Sequence, residues 1–390
     1  MELVTELRKF LAPEIITGID ARLMIGRYLT HFASKKPMVV TDKNLVSLPW
    51  FLDIMDEINN TVFECIIYDN VSSNPRDHEV MEGAELFRAK KCDLIVAVGG
   101  GSPIDCAKGI SIVTSNGGHI LDYEGVDEIN LPGPPLICIP TTSGASADVS
   151  QFAIICDTEA LVKKAIISKK VVPDLALIDS VPLMTMDTYL TACCGMDALT
   201  HAIEAYVSNA NSDLTNVHAL AAIHLINQSI IDAIRPDRTL KTMHQMMMGS
   251  LHAGLAFSNA SLGAVHAMAH SLGGLLDMPH GECNSILLEH VIRENFDSVS
   301  TQYIEIAKQM NIETEALSNA HIKENLLEHI RFLRRSLYIS DYAYLTNLDT
   351  GIIEKLTDGA LSDPCLVTNP KILTREEVKA IYGAVLRQEK

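Results

Sequence analysis

Residues 93–113 read DLIVAVGGGSPIDCAKGISIV. An unbroken apolar run, Leu94–Val98, reaches three glycines, Gly99–Gly101, and passes directly into a stretch of helical character. Glycines at a strand-to-helix turn let the backbone approach a pyrophosphate, and the helix N-terminus offers free N–H groups and partial positive charge. The run is not the GxGxxG of the common dinucleotide fingerprint, and taken alone it fits a merely tight turn equally well. Its surroundings favour the nucleotide reading. Lys36–Asp42 (KPMVVTD) and Val62–Tyr68 (VFECIIY) read as short strands, with helices at Leu48–Asn59 and Glu79–Lys90 and a turn at Ser72–Arg76. Leu136–Pro140 (LICIP), Ala153–Cys156 and Leu175–Ile178 continue the series of short apolar segments. Strands alternating with helices specify a parallel, doubly wound sheet. Asp42 closes an early strand, where an acidic residue binds a ribose 2′-hydroxyl and repels a 2′-phosphate; an ordinary strand-end aspartate is the plain alternative. Thr141–Gly144, after LICIP, forms a second loop of small hydroxyl residues, and with Gly99–Ser102 it would line one sheet edge as a dinucleotide crevice requires.

Near Ser180–Met184 the hydrophobic period changes, and from Pro182 onward 3.6-residue patterns dominate with no convincing strand. The expected organisation is an α/β dinucleotide-binding domain over residues 1–181 and an all-helical, metal-binding domain over residues 182–390. Two stretches of the second half carry the chemistry. GMDALTHAIEAY places Asp197 and His201 four residues apart, and AVHAMAHSLGGLLDMPHGE places His266 and His270 four apart with His280 ten further on. Residues i and i+4 share one helix face, so each pair can offer two ligand groups to one point. A lone HxxxH on an apolar helix is more often structural than ligating. A DxxxH, an HxxxH and a Pro-His-Gly turn within one region of small and apolar residues point instead to a metal site. One carboxylate and several imidazoles suit a borderline ion such as Fe²⁺ or Zn²⁺, with a position left open for substrate.

Composition narrows the class. The 390 residues carry 31 Lys and Arg against 49 Asp and Glu, a formal charge of −18, with no long basic run. Nucleic acid and anionic membranes are therefore not expected partners. No apolar run approaches the roughly 18 residues of a membrane helix, and the first residues, with acidic side chains and no apolar run before a small-residue cleavage site, do not argue for export. Nine scattered cysteines, without a CxxC pair, read as free thiols of a reducing cytoplasm.

With these residues in view, the chain resembles the iron-dependent (group III) alcohol dehydrogenase family over almost its whole length. The matching blocks are VTDK (Val40–Lys43), Asn74–Pro75, VGGGSPIDCAK (Val98–Lys108), PTTSG (Pro140–Gly144), DALTHAIEAYVS (Asp197–Ser208), AFSNASLGAVHAMAHSLGG (Ala256–Gly274), PHGECNSILL (Pro279–Leu288) and DPCLVTNP (Asp363–Pro370). The resemblance implies a dehydroquinate synthase-like architecture, with a cleft between an N-terminal nucleotide domain and a C-terminal helical domain. It implies metal ligation by Asp197, His201, His266 and His280, with His270 beside the metal, relaying a proton or shaping the pocket. NAD contacts carry over to Asp42, Gly99, Gly100, Gly101, Ser102, Asp105, Thr141, Thr142 and Lys164. A homodimer or higher homo-oligomer is implied as well.

The sequence departs from the family pattern at TTSGASAD, where the usual continuation is TTAGTGSE. Ala145 loses a hydroxyl, Ser146 supplies one next door, and Asp148 is one methylene shorter than the usual glutamate. Glu289 stands where proline is common. The expected activity is reversible NAD(H)-linked oxidation of a small primary alcohol or diol, because a divalent cation lowers the pKa of what it binds and hydride can pass to nicotinamide. A polyol dehydrogenase and a slow-turnover sensing protein are alternatives, the latter prompted by the altered loop. Phe152 and Phe257 are candidate pocket walls, although core filling is the simpler role. His218, His224, His244, His252 and the HQMMMG run read as packing, and Arg235–Lys241 as a solvated loop.

Overall fold

A computed structural model describes residues 8–160, 162–345 and 350–388. The first half supplies strands β1 (Glu14–Thr17), β2 (Pro37–Val40), β3 (Ile66–Tyr68), β4 (Leu94–Gly99), β5 (Gly125–Val126), β6 (Leu136–Pro140), β7 (Phe152–Asp157), β8 (Val162–Ile167) and β9 (Leu175–Ile178). Between them lie helices α1 (Ile25–His31), α2 (Pro49–Thr61), α3 (Asp77–Lys90) and α4 (Gly101–Asn116). Six strands form one sheet in the order β1-β9-β6-β4-β2-β3, with every pairing parallel. β2, β4 and β6 are buried along their whole lengths, which is why they read as continuous apolar runs without alternation. β2 pairs with β3 on one side and β4 on the other, so the chain changes direction across β2. Ligands of open α/β sheets bind outside the carboxyl ends of the strands at such a switch point. Here those ends are Asp42 after β2 and Gly99–Gly101 after β4.

The second half is helical: α5 (Thr188–Val207), α6 (Asp213–Ala233), α7 (Leu240–Ala260), α8 (Ala264–Leu276), α9 (His280–Asn295), α10 (Ser300–Gln309), α11 (Asn319–Ser336), α12 (Thr350–Ser362) and α13 (Arg375–Val385). Side chains of Asp187, Ser212 and Thr239 accept N–H bonds at the starts of α5, α6 and α7. One large apolar core runs through these helices and reaches β9 at Ala176 and Ile178. A parallel α/β half and a helical half form the dehydroquinate synthase-like arrangement that the resemblance implies.

In four places the strands differ from those the sequence shows. Glu14–Thr17 is an edge strand, β1, paired with β9; four residues without alternation carry no strand signal. β8 carries no strand signal in the sequence, because two adjacent lysines interrupt its apolar pattern. The strand expected at Val62–Tyr68 shrinks to Ile66–Tyr68, since α2 runs through Thr61 and leaves Phe63 fully exposed. In the helical half, β10 (Ala343–Leu345) pairs in parallel with β11 (Leu386–Gln388), a contact between segments too short and too far apart to show a period.

Candidate active site

Three helices converge on one point. α5 brings Asp197 and His201, α8 brings His266 and His270, and α9 begins at His280. The Nε2 atoms of His201, His266 and His280 lie 3.8, 3.7 and 3.8 Å from the same oxygen, Asp197 Oδ1. These separations are too long for hydrogen bonds. They approach the roughly 3.5 Å between neighbouring donor atoms of a tetrahedral ion with bonds of about 2.1 Å. His201 and His266 stack at 4.5 Å between centroids, and Asp197, His201 and His266 are all buried. Buried imidazoles gathered around one carboxylate fit a borderline divalent cation.

Burial alone would raise the Asp197 carboxyl, but His201, His280 and His266 outweigh it and hold it well below the usual carboxylate range. Burial pushes His201 down to about 3 and drives His280 well below its ordinary value. Both imidazoles are thus neutral, as ligation requires. His266 is opposed by burial, yet Asp197 and Glu204 raise it to about 9, so a cation would displace a proton there.

Close backbone approach makes the convergence possible. A Cβ on Gly281 would lie 2.1 Å from the carbonyl oxygen of Cys193, so only glycine lets α9 start against α5. Glu204 ties α8 to the same point: Oε1 accepts from Val265 N and Oε2 from His266 Nδ1, each at 2.6 Å. A carboxylate on Nδ1 fixes the tautomer that leaves Nε2 free. Asn284 donates from Nδ2 to Asp197 Oδ1 at 2.7 Å. Phe257 stacks on His201 at 4.3 Å and Phe152 packs on Phe257 at 5.7 Å, so one of the two aromatics touches an expected ligand.

His270 joins this cluster from its side. Its ring stacks on His280 at 5.3 Å, and Nδ1 donates to Asp363 Oδ2 at 2.8 Å. Burial would raise the Asp363 carboxyl, but His270 holds it down at about 2, so it is the acceptor. Cys365 lies nearby, its thiol pushed well above the ordinary value by burial and by Asp363. A neutral thiol is a poor ligand, so His270, Asp363 and Cys365 read as a hydrogen-bonded group.

The nucleotide edge adjoins this pocket. Gly100, outside the first turn of α4, has no capping side chain, leaving N–H groups at the helix start for an anion. A Cβ on Gly100 would come within 2.9 Å of Thr142 Cγ2, and one on Gly101 within 2.8 Å of Ala145 Cβ, so the two loops pack on one another. Thr141 N donates to Gly99 O at 3.0 Å, and Ser102 Oγ accepts from Asn74 N at 3.2 Å. Asp42 Oδ1 accepts from Asn44 N at 2.8 Å at the end of β2. Asp105 is turned inward, where Oδ2 accepts from Ile154 N at 3.2 Å and ties β7 to α4.

Lys164 is not brought to this edge; its Nζ pairs with Glu124 at 2.8 Å. Strand alternation sends Lys163 the other way. Its Nζ donates to Asn74 Oδ1 at 2.8 Å and comes within 3.6 Å of a Cβ built on Gly273 of α8. Ser146 is likewise turned from the cofactor side, with Oγ donating to Ser250 O at 2.7 Å. Glu289 pairs with Arg331 and Arg334 of α11 at 3.2 and 3.0 Å. Arg238, expected in solvent, donates instead to the Met184 and Met186 carbonyls. His218 and His252 meet each other at 2.9 Å, and Met243, Met246 and Met247 are core. Glu204, Asn284, Lys163 and Asp363 were missed by sequence reasoning. Glu204 and Asn284 were findable, at seven residues from Asp197 and four from His280. Asp363 had no local signal.

The chain matches the iron-containing alcohol dehydrogenase family model over residues 12–180 and the C-terminal model of the Fe-containing alcohol dehydrogenase family over residues 191–386. It is 35% identical to 1,3-propanediol dehydrogenase of Citrobacter freundii over 96% of this chain and 97% of that one. It is 32% identical to NAD-dependent methanol dehydrogenase of Bacillus methanolicus over 97% of this chain and 99% of that one. A crystal structure of 1,3-propanediol oxidoreductase superposes with a TM-score of 0.92 at 34% identity, covering 97% of this chain and 99% of that one. None of these similarities favours a sensing role. The chain belongs to the iron-containing alcohol dehydrogenase family.

Proposed function

We propose that Asp197, His201, His266 and His280 hold a divalent iron ion, and that Asp42, Gly99–Ser102, Thr141 and Thr142 bind NAD at the adjoining sheet edge. The enzyme is an NAD-dependent alcohol dehydrogenase, interconverting an alcohol and its aldehyde; a small primary alcohol or diol is the proposed substrate. The observation that carries the metal assignment is three Nε2 atoms at 3.7–3.8 Å from one carboxylate oxygen. A divalent ion held there would make an alcohol hydroxyl easier to ionise and an aldehyde carbonyl easier to reduce, and NAD held at the sheet edge would supply the hydride acceptor or donor.

The chain's own residues do the rest. The glycine turn and the α4 N-terminus receive the pyrophosphate, and Asp42 favours a free ribose 2′-hydroxyl. Lys163, which reaches from β8 toward α8, takes the role that the resemblance put on Lys164. Asp105 serves the cofactor at one remove, by fixing β7. Asp363 holds Nδ1 of His270, leaving Nε2 to take or return the substrate proton. Residues 1–181 and 182–390 form the two proposed domains, supported by the confinement of the large sheet to the first. An assembly of two or more copies in the cytoplasm completes the reading. Among the described residues no helix is long and apolar enough to cross a membrane.

The test is anaerobic NAD-linked turnover on a panel of short alcohols and diols, with metal-stripped protein restored separately by Fe²⁺ and Zn²⁺. Turnover that returns with metal, best with Fe²⁺, is the expected outcome. NAD reduction unaffected by metal removal would sink the proposal.

A further inference from the structure

We propose that Asn284 belongs to the metal site as a positioning residue whose amide sets how tightly the site holds its ion. The inference rests on Asp197, His201, His266 and His280 being the ligands. Asn284 lies on α9 one turn beyond His280 and is completely buried. Its Nδ2 is 2.7 Å from Asp197 Oδ1, 3.1 Å from His266 Nε2 and 3.3 Å from His280 Nε2. One amide nitrogen thus faces donor atoms of three of the four ligands.

The amide's orientation follows from its neighbours. An ionised carboxylate oxygen only accepts, so the atom facing Asp197 is the nitrogen. That nitrogen carries two N–H groups and faces three ligand atoms, so it can brace the Asp197 carboxylate and one imidazole at a time. Glu204 holds His266 from its far side, where it accepts from Nδ1. The carbonyl end of Asn284 is buried without a partner. An amide placed for its own hydrogen bonding would satisfy both ends; this one leaves one end unmet and aims its donors at the ligand atoms. Simple packing would be served as well by an apolar side chain of the same branching, such as leucine, which has no orphaned oxygen.

Removing a group that orients metal ligands weakens metal binding by roughly 10–100-fold in general. The experiment titrates chelator-stripped native protein, Asn284→Leu, Asn284→Ser and His280→Ala with Zn²⁺ against a chromophoric competitor. Thermal melting of each stripped protein is measured alongside. Asn284→Leu is expected to lower metal affinity by about 10–100-fold while still melting cooperatively. Asn284→Ser, whose hydroxyl can still donate to Asp197, is expected to lose less, and it decides the matter if the leucine variant does not fold. Both variants binding within twofold of native, while His280→Ala loses the ion, would overturn the role of Asn284. A native protein that binds no ion, or a His280→Ala variant that binds it as well as native, would overturn the ligand assignment and this inference with it.

Discussion

At the sheet edge the functional groups are mostly backbone: N–H groups at the start of α4, brought close by glycines whose neighbours would strike any side chain. In the helical pocket they are side chains, carried on α5, α8 and α9 and aimed by Glu204, Asn284 and Asp363. The first kind of site is set by loop geometry and tolerates exchange of the side chains around it. The second is set by helix packing, so it is vulnerable wherever two helices touch, including at residues that ligate nothing.

Gly281 tests that difference most severely. Gly281→Ala puts a methyl 2.1 Å from the Cys193 carbonyl oxygen, a backbone atom that cannot rotate aside. α9 must shift, and His280 and Asn284 with it. Metal affinity is expected to fall by about 100-fold or more, as for loss of an orienting partner at the upper end, with NAD affinity within a few-fold of native. Gly100→Ala meets only the Thr142 side chain, at 2.9 Å, and is expected to do the reverse: about tenfold weaker NAD, with unchanged metal. Metal content after chelator dialysis and NAD binding by fluorescence titration read the two arms. A Gly281→Ala protein that retains its metal would show that helix packing does not set the pocket.

The two sites were also unequally legible. The ligand helices announce themselves, because Asp197, His201, His266, His270 and His280 recur at helical spacing in segments otherwise apolar. The glycine turn is legible because strand, glycines and helix are contiguous at 94–116. What escaped were residues whose role depends on pairing between distant segments. Asp363 reaches His270 across 93 positions, a contact created only by tertiary packing. Lys163 and Lys164 are adjacent and chemically alike, so only strand alternation in β8 decides which one faces α8. The same lack of local signal hid β1 and the β10–β11 pair.

That lysine pair gives the next prediction. Lys163→Met is expected to weaken NAD binding by about tenfold, the scale of one charge-assisted contact to a cofactor. Lys164→Met, which removes a half-exposed pair with Glu124, should change NAD affinity less than twofold. Equal effects, or a larger effect at Lys164, would return the cofactor role to the residue named by resemblance.

The smallest expected effect concerns the altered loop and lies wholly inside the α/β half. Burial raises the Asp148 carboxyl from 3.8 to about 6, with the Lys108 ammonium pulling the other way. Lys108 is itself fully buried and donates to Ser150 O at 2.8 Å and Phe152 O at 2.7 Å. A carboxyl raised in the folded state binds its proton more tightly there than when unfolded. Its favourable contribution is therefore complete below the unfolded value near 4 and is lost as pH rises through about 6. Asp148→Asn should melt like the native protein at pH 4 and higher than it at pH 8. A gain of about 1–2 kcal/mol, or roughly 2–6 °C, is the expected scale. A lower melting temperature at pH 8 would mean that the buried Lys108 charge needs Asp148 more than the carboxylate costs. In that case the shortened acidic residue, set in a backbone-built loop, is an ion-pair partner after all.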